Sequence, residues 1–223
     1  MRVMSWNQEP VPPRRGVHLG VAELLNVYDA AGEIVGARPR GEAKRSGLAV
    51  GAVNVLVRDR AGRVLMQKRP VDKENGGRWD KSVGGHVAAG EDFDATAVRE
   101  AGEELFDDGS ARAIVLARSR QHFDHLVSAS DLAACVVLHR IGLQLNLRDV
   151  RIAPGGGVRN VVYHVAIYEG RTAVPLDSFR RQPSEIDALA YFSIEEVDQM
   201  LLEGALAPNM AFLWLAYGHR LLI

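Results

Sequence analysis

The sequence has little of several features that define whole classes of protein. Its 223 residues include one cysteine, Cys135, so no disulfide can form within the chain, and we expect the reducing environment of the cytoplasm. No apolar run reaches the ~18 residues that a membrane-spanning helix needs, so no membrane association is expected. Residues 1–20 contain three prolines and lack the apolar core of a secretion signal. They are predicted to form a tail.

The chain also lacks an excess of charge of either sign. Lysine and arginine together number 27, aspartate and glutamate 28, and the formal net charge is −1. A protein that coats nucleic acid would carry a clear basic excess, so no nucleic-acid partner is expected. Because 47% of the residues are hydrophobic, the chain is long and apolar enough to bury the core of one domain.

Apolar runs and turn signals predict strands on both sides of a central helix. Residues 48–57 are apolar and β-branched, and a turn at 58–62 leads to a second extended run at 64–69, which predicts a hairpin. A glycine-rich turn at 154–157 predicts another hairpin, and residues 92–108 have helical spacing. A mixed α/β (α+β) sandwich fits this pattern best.

The second half of the chain is less regular. Residues 111–141 are too apolar for a loop, and we predict one or two helices there, inserted into a domain that spans 21–205. Residues 206–223 are predicted to form a C-terminal helix that packs on the domain. Because the end of the chain, 212–223, is apolar, it is compatible with packing internally or across a homodimer.

The acidic residues of the predicted central helix share one face. Glu100, Glu103 and Glu104 stand at i, i+3 and i+4 and lie within an arc of roughly 100°. Neighbouring carboxylates repel each other by ~0.2–0.5 kcal/mol for each pair, and the negative end of the helix dipole adds to this repulsion. A divalent cation would compensate, and Mg²⁺, or Mn²⁺ in its place, also bridges phosphate groups. The alternative is a solvated acidic surface.

The surroundings of this acidic face resemble a known motif. Gly85 is followed after five residues by Glu91 and after seven more by 99–104, Arg-Glu-Ala-Gly-Glu-Glu. This resembles the Nudix box, G-x5-E-x7-R-E-U-x-E-E-x-G-U, in which U is a bulky aliphatic residue. The chain is therefore identified as a suspected member of the Nudix superfamily. The stretch 64–87 is similar to the subgroup related to isopentenyl-diphosphate isomerase, and the resemblance implies a Nudix-like α/β/α sandwich.

Three positions depart from the motif. Ala101 stands where a bulkier aliphatic residue is usual, Phe106 replaces the final glycine, and Asp107 replaces the aliphatic residue after it. Because Gly109 is the next residue that readily ends a helix, the helix is predicted to run about one turn longer than in the family.

The resemblance implies a metal site and a base. Glu100 and Glu104 would ligate Mg²⁺, Glu103 would be a further ligand or the base that acts on water, and the carbonyl of Gly85 would be an additional ligand. Glu185 stands where many members have an acid on a loop opposite the box. It is a second candidate for the base, with a surface charge as the alternative.

Other residues would support the site or bind the substrate. The resemblance implies that Glu91 pairs with Arg99 and holds the loop onto the helix. Arg69 or Lys68, at the end of a strand, could hold a substrate phosphate, because arginine suits bidentate contacts; a solvated strand end is the alternative. Trp79 could stack on a base, although a position in the core is the more common role of such a residue.

Three functions follow from these features. The first is Mg²⁺-dependent hydrolysis of a phosphoanhydride in a nucleoside diphosphate linked to another moiety, or in a similar small diphosphate. The second is isopentenyl-diphosphate isomerisation, which in the resembling subgroup needs a cysteine before the box; this chain has none before Cys135. The third is a non-catalytic nucleotide-binding module, which the complete set of carboxylates disfavours. The sequence leaves the substrate and the oligomeric state open.

Overall fold

The computed structural model describes residues 23–106, 113–152, 157–180 and 185–218. The strands of these ranges are β1 (Leu24–Tyr28), β2 (Ile34–Pro39), β3 (Ala49–Arg58), β4 (Val64–Lys68), β5 (Trp79–Asp80), β6 (Val83–His86), β7 (Ile114–Ala117), β8 (Val136–Ile152), β9 (Val158–Thr172) and β10 (Ala188–Phe192). The helices are α1 (Arg40–Arg45), α2 (Phe93–Phe106), α3 (Arg120–Ala129), α4 (Ile194–Leu202) and α5 (Pro208–Tyr217). A 3₁₀ turn, Leu176–Ser178, precedes β10.

The strands form one mixed sheet. Its main order is β10-β4-β3-β9-β8-β7, with β1 and β6 also paired to β3, β2 to β1 and β5 to β4. β3 runs parallel to β9 and β7 parallel to β8, whereas the other pairs are antiparallel. β8 and β9 contain 17 and 15 residues and form the hairpin that was predicted around 154–157. The predicted mixed α/β fold is confirmed.

Side-chain alternation along β3 divides the core into two layers. Val53, Val55 and Val57 pack with the apolar side of α2 on one face of the sheet. Val50 and Leu56 pack on the other face, with residues of α4 and α5. Because successive residues of a strand point to opposite faces, a strand buried on both sides is apolar throughout, as β3 is.

The central helix α2 is anchored by small and apolar residues at a spacing of four. Ala97, Ala101 and Leu105 are fully buried and contact the sheet. Ala101, which departs from the motif, therefore lies where the helix approaches the sheet closely. The predicted extension of the helix to Gly109 lies outside the described residues.

The segment 111–141 contains one of the helices predicted there, together with strands that were not predicted. In its described part it is a strand, a helix and the start of another strand: β7, then α3, then β8, with β7 paired parallel to β8. α3 buries Phe123 against Val137 and Leu132. The β-branched residues on either side of α3 favour strands because β8 pairs with β9. This pairing depends on residues that are distant in the sequence.

The C-terminal helix α5 begins with Pro208 at its first turn, where the missing N–H of proline is tolerated. Met210, Leu213 and Trp214 are buried in the core layer that α5 shares with α4. Within the described ranges, no helix is long and apolar enough to cross a membrane.

Candidate active site

An ion pair joins the loop before α2 to the helix itself. The Glu91 carboxylate accepts hydrogen bonds from Arg99 Nε at 2.9 Å, from Arg99 Nη2 at 3.0 Å and from Thr96 Oγ1 at 2.9 Å. The Arg99 and Thr96 hydrogen bonds lower the pKa of Glu91 against the opposing effect of partial burial. The structure thus brings Glu91 and Arg99 together as the resemblance implied, and the pair fixes how the loop enters α2.

Two carboxylates of α2, the buried Glu104 and the half-buried Glu100, lie next to the glycines of β6. Glu104 accepts hydrogen bonds from Gln67 Nε2 and from the Gly84 amide, both at 3.2 Å. Burial, followed by the charge of Glu100, raises the pKa of Glu104 to about 8, and burial raises the pKa of Glu100 to about 6. The surrounding cations therefore leave much of this negative charge uncompensated.

Gly85 allows Glu100 to approach the strand. A Cβ atom at Gly85 would lie 1.9 Å from the carboxyl carbon of Glu100, and no real contact is that short. The glycine is therefore required sterically by the position of a carboxylate.

Arg99 also occupies the space between two of the acidic residues. Its Nη1 lies 3.0 Å from Glu100 Oε1 and 3.1 Å from Glu103 Oε2. In this arrangement no group of three histidine, cysteine, aspartate or glutamate side chains among the described residues converges as a metal site. The chemistry of the donors nevertheless fits a hard cation, since the buried Glu104 and the half-buried Glu100 are carboxylates with raised pKa values that lie next to the backbone of Gly84 and Gly85.

The carboxylates form one wall of a cleft of about 400 Å³. We call this cavity the carboxylate cleft; besides Glu100, Glu103, Glu104 and Arg99, its charged lining residues are Glu23, Arg40, Lys44, Arg69, Lys73, Glu74, Lys81, Arg151 and Glu185. The cleft therefore combines a carboxylate wall on α2 with cationic side chains from several other elements.

A buried aspartate holds two of the cations. Asp80 is fully buried, and its carboxylate lies 3.2 Å from Lys81 Nζ and 3.6 Å from Arg69 Nη1. Burial alone would raise the pKa of Asp80, but the charges of Lys81 and Arg69 lower it. Asp80 was not predicted as a site residue. The adjacent charged residues Asp80 and Lys81, within an otherwise apolar extended segment, were the feature of the sequence that indicated it.

Of the three residues considered for a substrate contact, Arg69 lines the cleft, whereas Lys68 and Trp79 do not. The Lys68 Nζ lies 6.0 Å from the centre of the Trp79 ring, and that ring packs edge-on against Phe192 at 4.7 Å. Alternation explains the difference, because Gln67 and Arg69 point to the cleft face and Lys68 between them points away. Trp79 is partly buried and packs against the core, which is the alternative role considered for it.

Glu185 is one of the residues that line the cleft. Its Oε1 is 3.0 Å from Lys73 Nζ, and both side chains are partly exposed. The predicted acid opposite the box therefore does reach the cavity, but as the partner of a lysine.

Arg151 is a cleft residue that the sequence did not reveal. It comes from β8, pairs with Asp149 at 2.8 Å and lies with its guanidinium 5.3 Å from the centre of the Tyr163 ring. Its place in the cleft depends on the pairing of β8 with β9, and no local pattern marks it.

Comparison with known proteins agrees with the sequence resemblance. Residues 48–128 match the family model of the NUDIX domain. Over 98 residues the chain is 39% identical to an uncharacterized Nudix hydrolase of Streptomyces coelicolor, a match that covers 44% of this chain and 54% of that protein. Over 83 residues it is 41% identical to an isopentenyl-diphosphate Delta-isomerase of Nocardia farcinica, covering 36% and 47%. The chain thus spans about half the length of these curated relatives.

The fold is also shared with a solved structure. A protein from Deinococcus radiodurans with a crystal structure at 1.9 Å superposes with a TM-score of 0.58 and 20% identity, and the match covers 86% of this chain and 96% of that one. The match of residues 48–128 to the NUDIX family model and the similarity to curated Nudix hydrolases support membership of the Nudix superfamily, and the solved structure adds that the fold is shared.

Proposed function

We propose that this protein is a Mg²⁺-dependent hydrolase that cleaves a phosphoanhydride bond in a nucleoside diphosphate linked to another moiety, or in a similar small diphosphate. The observation that carries the proposal is the division of charge in the carboxylate cleft. Carboxylates of α2 line one side, and Arg69, Lys73 and Lys81 line it from other elements. A diphosphate with a divalent cation has the complementary distribution, because the cation needs anionic oxygens and the phosphates need cationic donors.

Glu100 and Glu104 would hold the cation, with Glu103 and the Gly85 carbonyl as further ligands. When bound, Mg²⁺, or Mn²⁺ in its place, supplies Lewis-acid charge next to the phosphoryl group. The raised pKa values of Glu100 and Glu104 support this assignment, since they indicate negative charge that the protein itself does not neutralise. Glu91 does not ligate; it positions Arg99 and the helix.

The remaining side chains would orient the substrate and move a proton. Glu103 is the most exposed of the three glutamates, with 42% of its side chain accessible, so it can accept a proton from the attacking water. Glu185 is the second candidate for this base, provided that Lys73 turns to the substrate. Arg69 can donate two parallel hydrogen bonds to phosphate oxygens and stabilise the charge that develops on the leaving group.

Two other functions are less well supported. The Nocardia relative is named an isomerase, but the single cysteine here lies outside the cleft lining, and its Sγ is 3.4 Å from the carbonyl oxygen of Asp131. We therefore expect no interconversion of isopentenyl and dimethylallyl diphosphates above a blank without protein. A purely binding role is disfavoured by the buried carboxylates, which a nucleotide alone would repel.

A substrate panel tests the proposed hydrolase. Nucleoside diphosphate derivatives, triphosphates, sugar nucleotides and dinucleotide polyphosphates are incubated with Mg²⁺, with Mn²⁺ or with chelator, and release of phosphate or nucleoside monophosphate is measured. We expect cation-dependent turnover of at least one diphosphate derivative. The absence of turnover across the panel at mildly alkaline pH would refute the function.

A further inference from the structure

A second charged cavity lies at the ends of β3 and β9. We call this cavity of about 380 Å³ the arginine pocket; its lining includes Arg58, Arg60 and Arg171, with Val127 and Leu132 as apolar neighbours. It shares no lining residue with the carboxylate cleft. Ligands commonly bind beyond the carboxyl ends of parallel strands, and β3 and β9 are parallel and end here.

The pairing of the two strands forces two arginines together. Arg58 and Arg171 are direct partners in the parallel register of β3 and β9, so their side chains leave the same face of the sheet from strands ~4.8 Å apart. Burial, followed by the charge of Arg171, lowers the pKa of Arg58 to about 10, and burial also lowers the pKa of Arg171. Like charges in such a position destabilise a sheet.

The nearby carboxylates are in contact with other partners. Glu169 lies 3.2 Å from Arg120 Nη1 and 3.1 Å from His139 Nδ1. The Asp59 carboxylate lies 2.7 Å from Arg63 Nη2 and also accepts a hydrogen bond from Arg63 Nε at 2.8 Å. Glu169 attracts Arg58 and Arg171 at longer range, but it is not in ion-pair contact with either.

Arg58 is the unusual member of the pocket. Only 5% of its surface is exposed, yet its guanidinium makes no hydrogen bond or ion pair with any residue in the part of the chain that the structure describes. Buried arginines are normally paired, because an isolated charge loses its hydration without compensation. Arg58 instead lines a cavity large enough for a small ligand.

We propose that the arginine pocket is a binding site for the phosphate group of a small molecule, separate from the carboxylate cleft. A phosphate carries up to two negative charges and three terminal oxygens, so it can accept paired hydrogen bonds from both guanidinium groups, whereas a carboxylate neutralises one. Val127 and Leu132 give the pocket an apolar wall against which an organic substituent can pack. This site does not depend on the function proposed for the cleft.

Calorimetric titration with inorganic phosphate in metal-free buffer tests the site. We expect Arg171→Gln and Arg58→Gln each to weaken phosphate binding by ~10-fold or more, since each removes one charged donor pair. Arg148→Gln is the matched control, because Arg148 is an exposed strand arginine outside both cavities. It should bind as the wild type does. Lys73→Gln removes a cation of the cleft and identifies any phosphate that binds there.

Two further measurements complete the test. A nucleoside monophosphate, titrated at the same concentrations, shows whether the pocket prefers free phosphate or an organic phosphate, and binding of either probe that is lost in the arginine variants supports the site. Turnover by Arg171→Gln should equal that of the wild type. The proposal is wrong if neither probe binds the wild type, or if both arginine variants bind the probes as tightly as Arg148→Gln. Arg171 is only partly buried, so its variant can be tested even if Arg58→Gln does not fold.

Discussion

The carboxylate cleft and the arginine pocket place like charges together away from water, but with opposite sign and different origin. Glu100 and Glu104 are one helical turn apart, so their proximity follows from the sequence and the helical repeat. Arg58 and Arg171 are far apart in the sequence and meet only because β3 pairs with β9. Local periodicity therefore reveals the first cluster, whereas the second exists only through the topology of the sheet. Both suggest a ligand of the opposite charge.

Glu104→Gln should have the largest effect if the carboxylate wall binds a cation. The substitution keeps the size of the side chain and its contacts with Gln67 and Gly84 but removes the charge. Mutation of a residue that only supports a metal-ligating side chain already reduces metal affinity or activity by about 10–100-fold. For a metal-ligating residue itself we therefore expect turnover to fall by at least ~100-fold. The rise in melting temperature that Mg²⁺ gives the wild type should also be lost.

Glu33→Gln is the control for this substitution, because Glu33 is exposed and outside the cleft. It should retain the turnover and the Mg²⁺ shift of the wild type. If Glu104→Gln did the same, the acidic face would be no more than a solvated surface, and the contrast between the two clusters would lose its functional meaning.

Gly85→Ala should disturb the carboxylate wall without changing any charge. The new methyl group would overlap the Glu100 carboxyl group, which must move, and displacements of ~1 Å in a site can reduce rates by ~100-fold. We expect a fall in turnover of that order, with a melting temperature close to that of the wild type because the Glu100 side chain is flexible. Gly142→Ala is the control, since the nearest atom that its methyl group would meet is in the Tyr217 ring at 3.3 Å. Wild-type turnover in Gly85→Ala would contradict the placement of Glu100.

Glu91→Gln should reduce stability, because the carboxylate is a paired charge and not a repelled one. Charge-assisted hydrogen bonds contribute ~1.5–3 kcal/mol each to the free energy of unfolding, and partial exposure reduces this, so we expect a loss of ~1–2 kcal/mol. The folded-state pKa of Glu91 is lowered. Its contribution is therefore complete above the unfolded pKa of ~4.3 and is lost as pH falls through the lower folded value.

Denaturant unfolding at neutral and acidic pH measures this contribution. The difference between the wild type and Glu91→Gln should be constant near neutral pH and shrink in the acidic range. Glu42→Gln provides the contrast, since Glu42 pairs with Arg38 at 3.5 Å on the exposed surface and such pairs contribute ~0–1 kcal/mol. Equal losses in the two variants would show that the Glu91–Arg99 pair does not secure the loop.

The parts of the fold that the sequence predicted are those governed by local rules. The helical spacing from residue 92, the hairpin of β3 and β4 and the long hairpin around 154–157 all follow from periodicity and turn residues. The region after α2 was predicted only in part: the helix α3 is present, but β7 and the first part of β8 are strands through their pairing with each other and with β9. Short apolar runs do not distinguish a helix from a strand without knowledge of such partners.

The candidate site divides in the same way. The motif identified the glutamates of α2, Gly85 and the Glu91–Arg99 pair, which the structure brings together along α2. It could not identify Arg151, whose position depends on the register of β8 and β9. Lys68 was considered together with Arg69 because neighbouring residues of a strand point to opposite faces, and the sequence does not show which face borders the cleft. A shift of one residue in the register would exchange the two side chains.

The smallest expected effect is also the most direct comparison of the two clusters, because it is measured without any ligand. In metal-free and phosphate-free buffer above pH 8, where Glu104 is ionised, Glu104→Gln and Arg171→Gln each remove one charge from a like-charged pair. Repulsion at such spacing amounts to a few tenths of a kcal/mol, so each melting temperature should be unchanged or raised by about 1–3 °C. The melting temperature of Glu91→Gln, which breaks an attractive pair, should be lowered under the same conditions. If Glu104→Gln or Arg171→Gln lowered the melting temperature as Glu91→Gln does, its charge would be stabilising in the free protein, and that cluster would not need a ligand of opposite sign.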